Sequence, residues 1–176
     1  MKHILSYFAA ILNVTIAVAI VAFGIFAVSE TKAKIRLADI SHEDFICLQE
    51  NIYFEAANQD VEGQAAVAWV TLNRMEHETY PDTVCGVVKQ AKLDADGKPK
   101  KYKCQFSWYC DGKSDVPRDK VKFEEAMTNA KWVMNNYGSE RDITEGAVMY
   151  HASYVNPYWS KAYTKTSRIE SHIFYK

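Results

Sequence analysis

A surplus of charge of either sign is missing from this chain. Lys and Arg number 21 against 22 Asp and Glu in 176 residues. Without a basic field, a nucleic-acid partner is excluded. Zinc-site patterns are missing too: no C-x-x-C occurs, and the four cysteines match no common ligand spacing. No H-E-x-x-H accompanies His151 and His172, so a hydrogen-bonded structural role fits His172 better than metal binding. No metal and no cofactor is expected. Internal repeats and low-complexity tracts are absent as well. Between Ile4 and Ser29 there is no charge at all.

That uncharged run is long enough to cross a bilayer as a helix, although Ser6, Asn13, Thr15 and Gly24 temper its hydrophobicity. It reads as a signal anchor or a long signal peptide, with Ala27-Val28-Ser29 as a passable cleavage site. Lys2 precedes it, and Lys32, Lys34 and Arg36 follow, so a simple charge count leans against export. The cysteines favour export. Cys47, Cys85, Cys104 and Cys110 are an even set beyond the apolar run, as expected of disulfides, with three pairings open. The expected organisation is a signal segment over 1–30, a linker over 31–40 and one catalytic domain over 41–176. It places the domain outside the cytoplasm, anchored to the inner membrane through residues 4–29 or released from it.

Within the domain, Ser41 and Asp44 resemble a capping box, and Phe45, Leu48, Ile52 and Ala56 follow helical spacing. Glu50 and Asn51 are expected on the solvated face. A second helix begins near Asp60, with Glu62 at its positive end. The run Ala65–Val70 is apolar all round, which makes this helix central. Pro81 breaks the pattern. Thr83–Gln90 reads as a short strand or turn, Ala91–Lys103 as an exposed hairpin tip around Gly97, and Cys104–Trp108 as the returning strand. A third helix fits Phe123, Met127, Ala130, Val133 and Tyr137 and ends at Gly138. Ala147–Tyr150 and Ile169–Tyr175 read as strands separated by an aromatic loop, Tyr154–Trp159.

Chemistry points to Glu55. It lies three residues after Ile52, at the edge of the buried stripe of the first helix, where a cleft wall would form. A carboxyl group among apolar neighbours resists ionising and holds a proton near neutral pH. Such a group serves as a general acid, most often in glycosidic bond cleavage. Asp60 and Glu62 are better explained as helix-start residues. Asp142 and Glu145 are the possible second carboxylates.

The block I-Y-F-E-A-x-x-x-Q-x-x-E-G-Q-x-A-V-A-x-V-x-L-N-R, running to Arg74, resembles the SleB-like cell wall hydrolase family, typified by spore-cortex-lytic enzymes. P-D-T-V-C-G-V-V (Pro81–Val88), C-Q-F-S-W-x-C-D-G (Cys104–Gly112), A-x-x-Y-H-A (Ala147–Ala152) and H-I-F-Y (His172–Tyr175) extend the likeness. The resemblance implies an α+β fold, a mostly helical lysozyme-like domain with a small β portion, acting on the glycan strands of peptidoglycan. It places Glu55 as the catalytic glutamate and sets Gln105, Tyr150 and His151 along the cleft. Gln64, Ser107 and Trp159 are the remaining candidate substrate-binding residues, although hydrogen bonds to the loop ends of the second helix explain Gln64, Asn73 and Arg74 at least as well as substrate contact. One departure stands out: members often read E-A-R-G-E, whereas here Gln59 replaces the second carboxylate.

With one carboxylate assured, a lytic transglycosylase is the expected mechanism, and a hydrolytic muramidase is the alternative. A thiol peptidase using a cysteine with His151, and a noncatalytic wall-binding protein, are the competing classes. Phage lysis, a secretion conduit and wall remodelling all suit such an enzyme.

Overall fold

The computed structural model describes residues 40–138 and 142–176. The expected N-terminal apolar helix lies outside the described residues. Among those described, no helix is long and apolar enough to cross a membrane.

Helix α1 (His42–Ala56) starts as its sequence dictates. Ser41 Oγ accepts from the Asp44 amide at 3.0 Å, and Glu43 and Asp44 occupy the positive end of the helix. Helix α2 (Val61–Glu76) is capped by Asp60, which accepts from the Gly63 amide at 2.9 Å. From Gly63 to Leu72 every residue of α2 is buried. The expectation of a central apolar helix holds, because α1, the short helix α3 (Val84–Val88) and helix α4 (Lys120–Asn136) all pack against it. The core joins Leu48 and Ile52 of α1, Trp69 and Leu72 of α2, Val84, Val87 and Val88 of α3, and Ala126, Ala130 and Val133 of α4.

Asn51 corrects the expectation of a solvated position. It is fully buried, donating to Thr71 Oγ1 (3.1 Å) and accepting from Trp108 Nε1 (3.0 Å). A buried amide is tolerated when its partners are supplied, and here they tie three elements together.

Thr83–Gln90 is not a strand. Thr83 caps α3 by accepting from the Gly86 amide, and the valines face the core. Strands β1 (Ala91–Leu93) and β2 (Pro99–Cys104) form the expected exposed hairpin, with Gly97 at φ +76 in its turn. Thus β2, not Cys104–Trp108, is the returning strand. Ser107–Cys110 is instead a single 3-10 turn.

The second sheet has strand order β3-β5-β4, all antiparallel: β3 (Met149–Ala152), β5 (His172–Tyr175) and β4 (Lys165–Ile169). The expected strand Ile169–Tyr175 is thus two strands with a tight turn at Glu170 (φ 49). The aromatic loop ends in a second 3-10 turn, Tyr158–Ala162. Disulfides join Cys47 to Cys85 and Cys104 to Cys110.

Candidate active site

Glu55 is carried on the last turn of α1, where helix geometry turns it off the buried stripe and toward β3. There Tyr150 donates its hydroxyl proton to Glu55 Oε2 at 2.8 Å. Tyr150 is fixed from both sides. It pairs with Phe174 in the sheet register, and its ring meets those of His172 (5.0 Å) and Phe174 (5.7 Å). Between them opens a cleft of about 310 Å³, lined by Glu55, Arg74, Gln105, Phe106, Ser107, Met149, Tyr150 and Trp159, with the Cys104 end of β2 closing one wall. Its size falls at the lower end of the small-ligand range.

Burial pushes the Glu55 carboxyl above the ordinary glutamate range. The Tyr150 hydrogen bond and the Arg74 charge pull part of the way back. The Tyr150 phenol is pushed well up by burial and by the neighbouring carboxylate, so it stays a donor. A half-buried acid with raised proton affinity and an open face is equipped to protonate a leaving oxygen.

Five of the anticipated residues meet here: Glu55, Gln105, Ser107, Tyr150 and Trp159. Gln105 is set by its own amide donating to Gln90 O at 2.8 Å, and the Cys104–Cys110 disulfide closes the loop that carries Gln105 and Ser107. Trp159 is braced edge-on against His151 (5.5 Å) and Tyr175 (5.5 Å). Its neighbour Tyr158 is 91% exposed and does not line the cleft.

Gln64 and His151 are not brought to this cleft. Gln64 is buried on another face of α2, accepting from Asn129 Nδ2 at 2.8 Å, beneath a separate groove between α2 and α4. His151 falls on the opposite face of β3 from Tyr150, as strand alternation requires. It bonds Tyr175 Oη and Ala152 O, both at 2.9 Å, and so braces Trp159 from behind.

His172 is a hydrogen-bonded histidine. The Gln59 amide nitrogen donates to its Nδ1 at 2.9 Å, and burial lowers its proton affinity, with the His151 charge adding to the effect. Gln59 therefore supports the ring that backs Tyr150, a task that needs no carboxylate. Among the described residues, no group of three or more metal-ligating side chains converges.

Asp142 does not line this cleft. It accepts from Asn73 Nδ2 (2.7 Å), Thr144 N (2.8 Å), Thr144 Oγ1 (2.7 Å) and Gly146 N (2.7 Å), so its lone pairs organise the loop before β3.

Two lining residues escaped the sequence reading: Phe106 and Met149. Arg74, expected either to bond the loop ends of α2 or to contact substrate, lines the cleft and also donates to Val148 O.

The family model described as Cell Wall Hydrolase matches residues 58–175. This chain belongs to the cell wall hydrolase family. The matched span begins just past Glu55, so it covers Arg74, Gln105, Tyr150 and Trp159 but not the carboxylate. A spore cortex-lytic enzyme of Oceanobacillus iheyensis is 44% identical over 48 residues, covering 27% of this chain and 17% of that protein. This chain therefore spans about a sixth of that relative's length.

Two solved structures share the fold. The catalytic domain of the Bacillus cereus SleB protein superposes with a TM-score of 0.56, covering 78% of this chain and 94% of that one at 24% identity. The catalytic domain of the germination-specific lytic transglycosylase SleB from Bacillus anthracis gives 0.55, covering 78% and 98%, also at 24% identity. The expected α+β cell wall hydrolase fold is thus the fold found.

Tyr150→Phe is expected to keep the fold and to slow the enzyme. A hydrogen bond to a charged group is worth about 1.5–3 kcal/mol, which corresponds to roughly ten- to hundredfold in rate. Without the phenol the carboxyl group holds its proton more tightly, so the alkaline limb of the pH–rate profile moves to higher pH. A profile superimposable on wild type would show that the bond does not reach the chemistry.

Proposed function

We propose that this protein cleaves the β-1,4 bond between N-acetylmuramic acid and N-acetylglucosamine in peptidoglycan as a lytic transglycosylase, with Glu55 as general acid and then base. The observation that carries this reading is the cleft's composition: Glu55 is the one carboxylate among its lining residues. Ordinary glycoside hydrolysis uses two carboxyl groups, one to protonate the leaving oxygen and one to activate water or attack C1. A lone acid suffices when the sugar supplies the nucleophile. Glu55 gives its proton to the glycosidic oxygen as the C1–O bond breaks. The muramoyl 6-hydroxyl then closes on C1 and returns a proton to Glu55. The product is a 1,6-anhydro sugar, and the enzyme ends in its starting protonation state.

The mixed lining suits a glycan. Trp159 and Met149 present flat or soft faces, while Gln105 and Ser107 offer hydrogen bonds. The thiol peptidase reading fails, because all four cysteines are paired in disulfides. Those disulfides fit an oxidising compartment outside the cytoplasm. In this reading residues 41–176 are the catalytic domain, 31–40 a linker and 1–30 an export signal or anchor.

Mass spectrometry of products from purified peptidoglycan tests the mechanism. Muropeptides with anhydro ends are expected. Reducing muramic acid ends would contradict transglycosylation and indicate a hydrolytic muramidase. No glycan product at all would favour a noncatalytic wall-binding role.

A further inference from the structure

Arg74 is a cation placed where packing alone has no need of one. It is 3% exposed at the end of α2. Its Nε donates to Val148 O at 2.6 Å, its Nη2 reaches Met149 Sδ at 4.0 Å, its buried Nη1 has no hydrogen-bond partner, and the Tyr80 side chain adds a further polar interaction. Rings enclose the guanidinium: Phe106 at 5.0 Å, Tyr80 at 5.6 Å and Tyr150 at 6.0 Å. Cation–ring attraction offsets part of the desolvation cost, which is several kcal/mol for a buried ion. An apolar side chain of similar length would fill the space without that cost. Among the described residues no carboxylate is in salt-bridge contact with Arg74. Glu55, which lines the same cleft and shares Tyr150 as a neighbour, is the acid that feels its charge.

We infer that Arg74 is a positioning residue for proton transfer: its buried charge, boxed by aromatic rings and lacking a contact counter-ion, stabilises the Glu55 carboxylate formed each time the proton leaves. The inference rests on the reading of Glu55 as the acid. When Glu55 is protonated, Arg74 is an uncompensated cation. When the proton passes to the glycosidic oxygen and the C1–O electron pair follows the leaving sugar, the new carboxylate finds a fixed positive charge and the Tyr150 hydroxyl already aimed at it. Preorganised charge of this kind acts where charge develops. The later return of the muramoyl 6-hydroxyl proton resets the pair.

The groups that face Glu55 are Arg74 from α2 and Tyr150 from β3, with the His172 ring of β5 behind the tyrosine. The directions agree: burial raises the carboxyl, and Arg74 lowers it. Burial thus holds the proton more firmly than an ordinary glutamate does, while the cation keeps the acid strong enough to lose it.

The test compares Arg74→Met with Arg74→Lys across a pH–rate profile on purified peptidoglycan. Met keeps the apolar stem and removes the charge. It is expected to lower kcat by roughly tenfold or more and to move the alkaline limb to higher pH, since an opposite charge nearby favours the ionised carboxyl. Lys is expected to restore the limb to near its wild-type position. A limb unmoved in Arg74→Met, with Lys no better than Met, would overturn the inference and leave Arg74 a packing residue.

If the Met variant does not fold, the wild-type protein still decides. The Arg74 side-chain ¹⁵N resonances are expected to titrate with the same midpoint as the Glu55 carboxyl carbon, and flat resonances would overturn the inference. The underlying reading fails separately. Full turnover by Glu55→Gln removes the acid itself, whereas a dead Glu55→Gln with an unmoved limb in Arg74→Met defeats the Arg74 inference alone.

Discussion

Glu55→Gln is expected to lower glycan cleavage by about 10²- to 10⁴-fold while folding normally, the range typical for loss of a general acid. The amide keeps the shape of the carboxyl group and still accepts from the Tyr150 hydroxyl, so the sheet and α1 keep their contact. What it cannot do is give up a proton to a leaving oxygen.

The same variant carries a second expectation, in stability. The folded-state proton affinity of Glu55 is raised, so between the unfolded and folded midpoints the native state binds more protons than the unfolded chain. Wild-type stability from this group is therefore complete below the ordinary glutamate range and falls as pH rises through the raised midpoint. Glu55→Gln removes that loss, and its unfolding midpoint at neutral pH is expected to equal or exceed wild type. Chemical denaturation at two pH values, read beside activity, checks both halves. A folded variant with wild-type turnover would remove Glu55 from the chemistry, and a variant destabilised at neutral pH would show the carboxylate to be an asset to the fold.

The largest structural effect is expected at Cys47–Cys85. This bridge ties α1 to α3 across a sequence separation of 38. On the loop-entropy account, closing a loop of that length restricts the unfolded chain by about 4 kcal/mol. Replacing both cysteines by alanine is expected to remove most of that and to lower the Tm by more than about 10 °C. The Cys104–Cys110 bridge closes a far shorter loop, with a sequence separation of 6 and a stabilisation of about 2 kcal/mol on the same account. Its loss is expected to act more on turnover, because the loop it closes carries Gln105 and Ser107 into the cleft. Urea midpoints of the two double variants, each beside its activity, separate these roles. Equal destabilisation by both would contradict the loop-length argument.

The helix starts were legible because each is written in a few adjacent residues: Ser41 before α1, Asp60 before α2. Glu55 was legible for a related reason, since position along a helix fixes the face on which a side chain emerges. Elements whose character comes from distant partners were not. The Val-Cys-Gly-Val-Val of α3 is β-branched and short, and only packing against α1 and α2 makes it helical. Strand β4, Lys-Thr-Ser-Arg-Ile, shows no alternation, and its pairing with β5 decides its form. Asn51 read as a surface amide because Thr71 and Trp108, 20 and 57 residues away, were needed to satisfy it. The disulfide pairing depended on the same kind of distant information, as did the place of Gln64 beneath the second groove. Arg74 read equally as a partner for the loop ends of α2 or for substrate, and only the surrounding rings, from distant parts of the chain, define its place in the cleft.

Titration of the Glu55 carboxyl carbon by ¹³C NMR, in the free protein and with bound glycan, is the most direct test. A midpoint above the ordinary glutamate range, rising further when sugar excludes water, is the expected result. A midpoint at or below the ordinary range in both states would leave no proton to donate and would contradict the account.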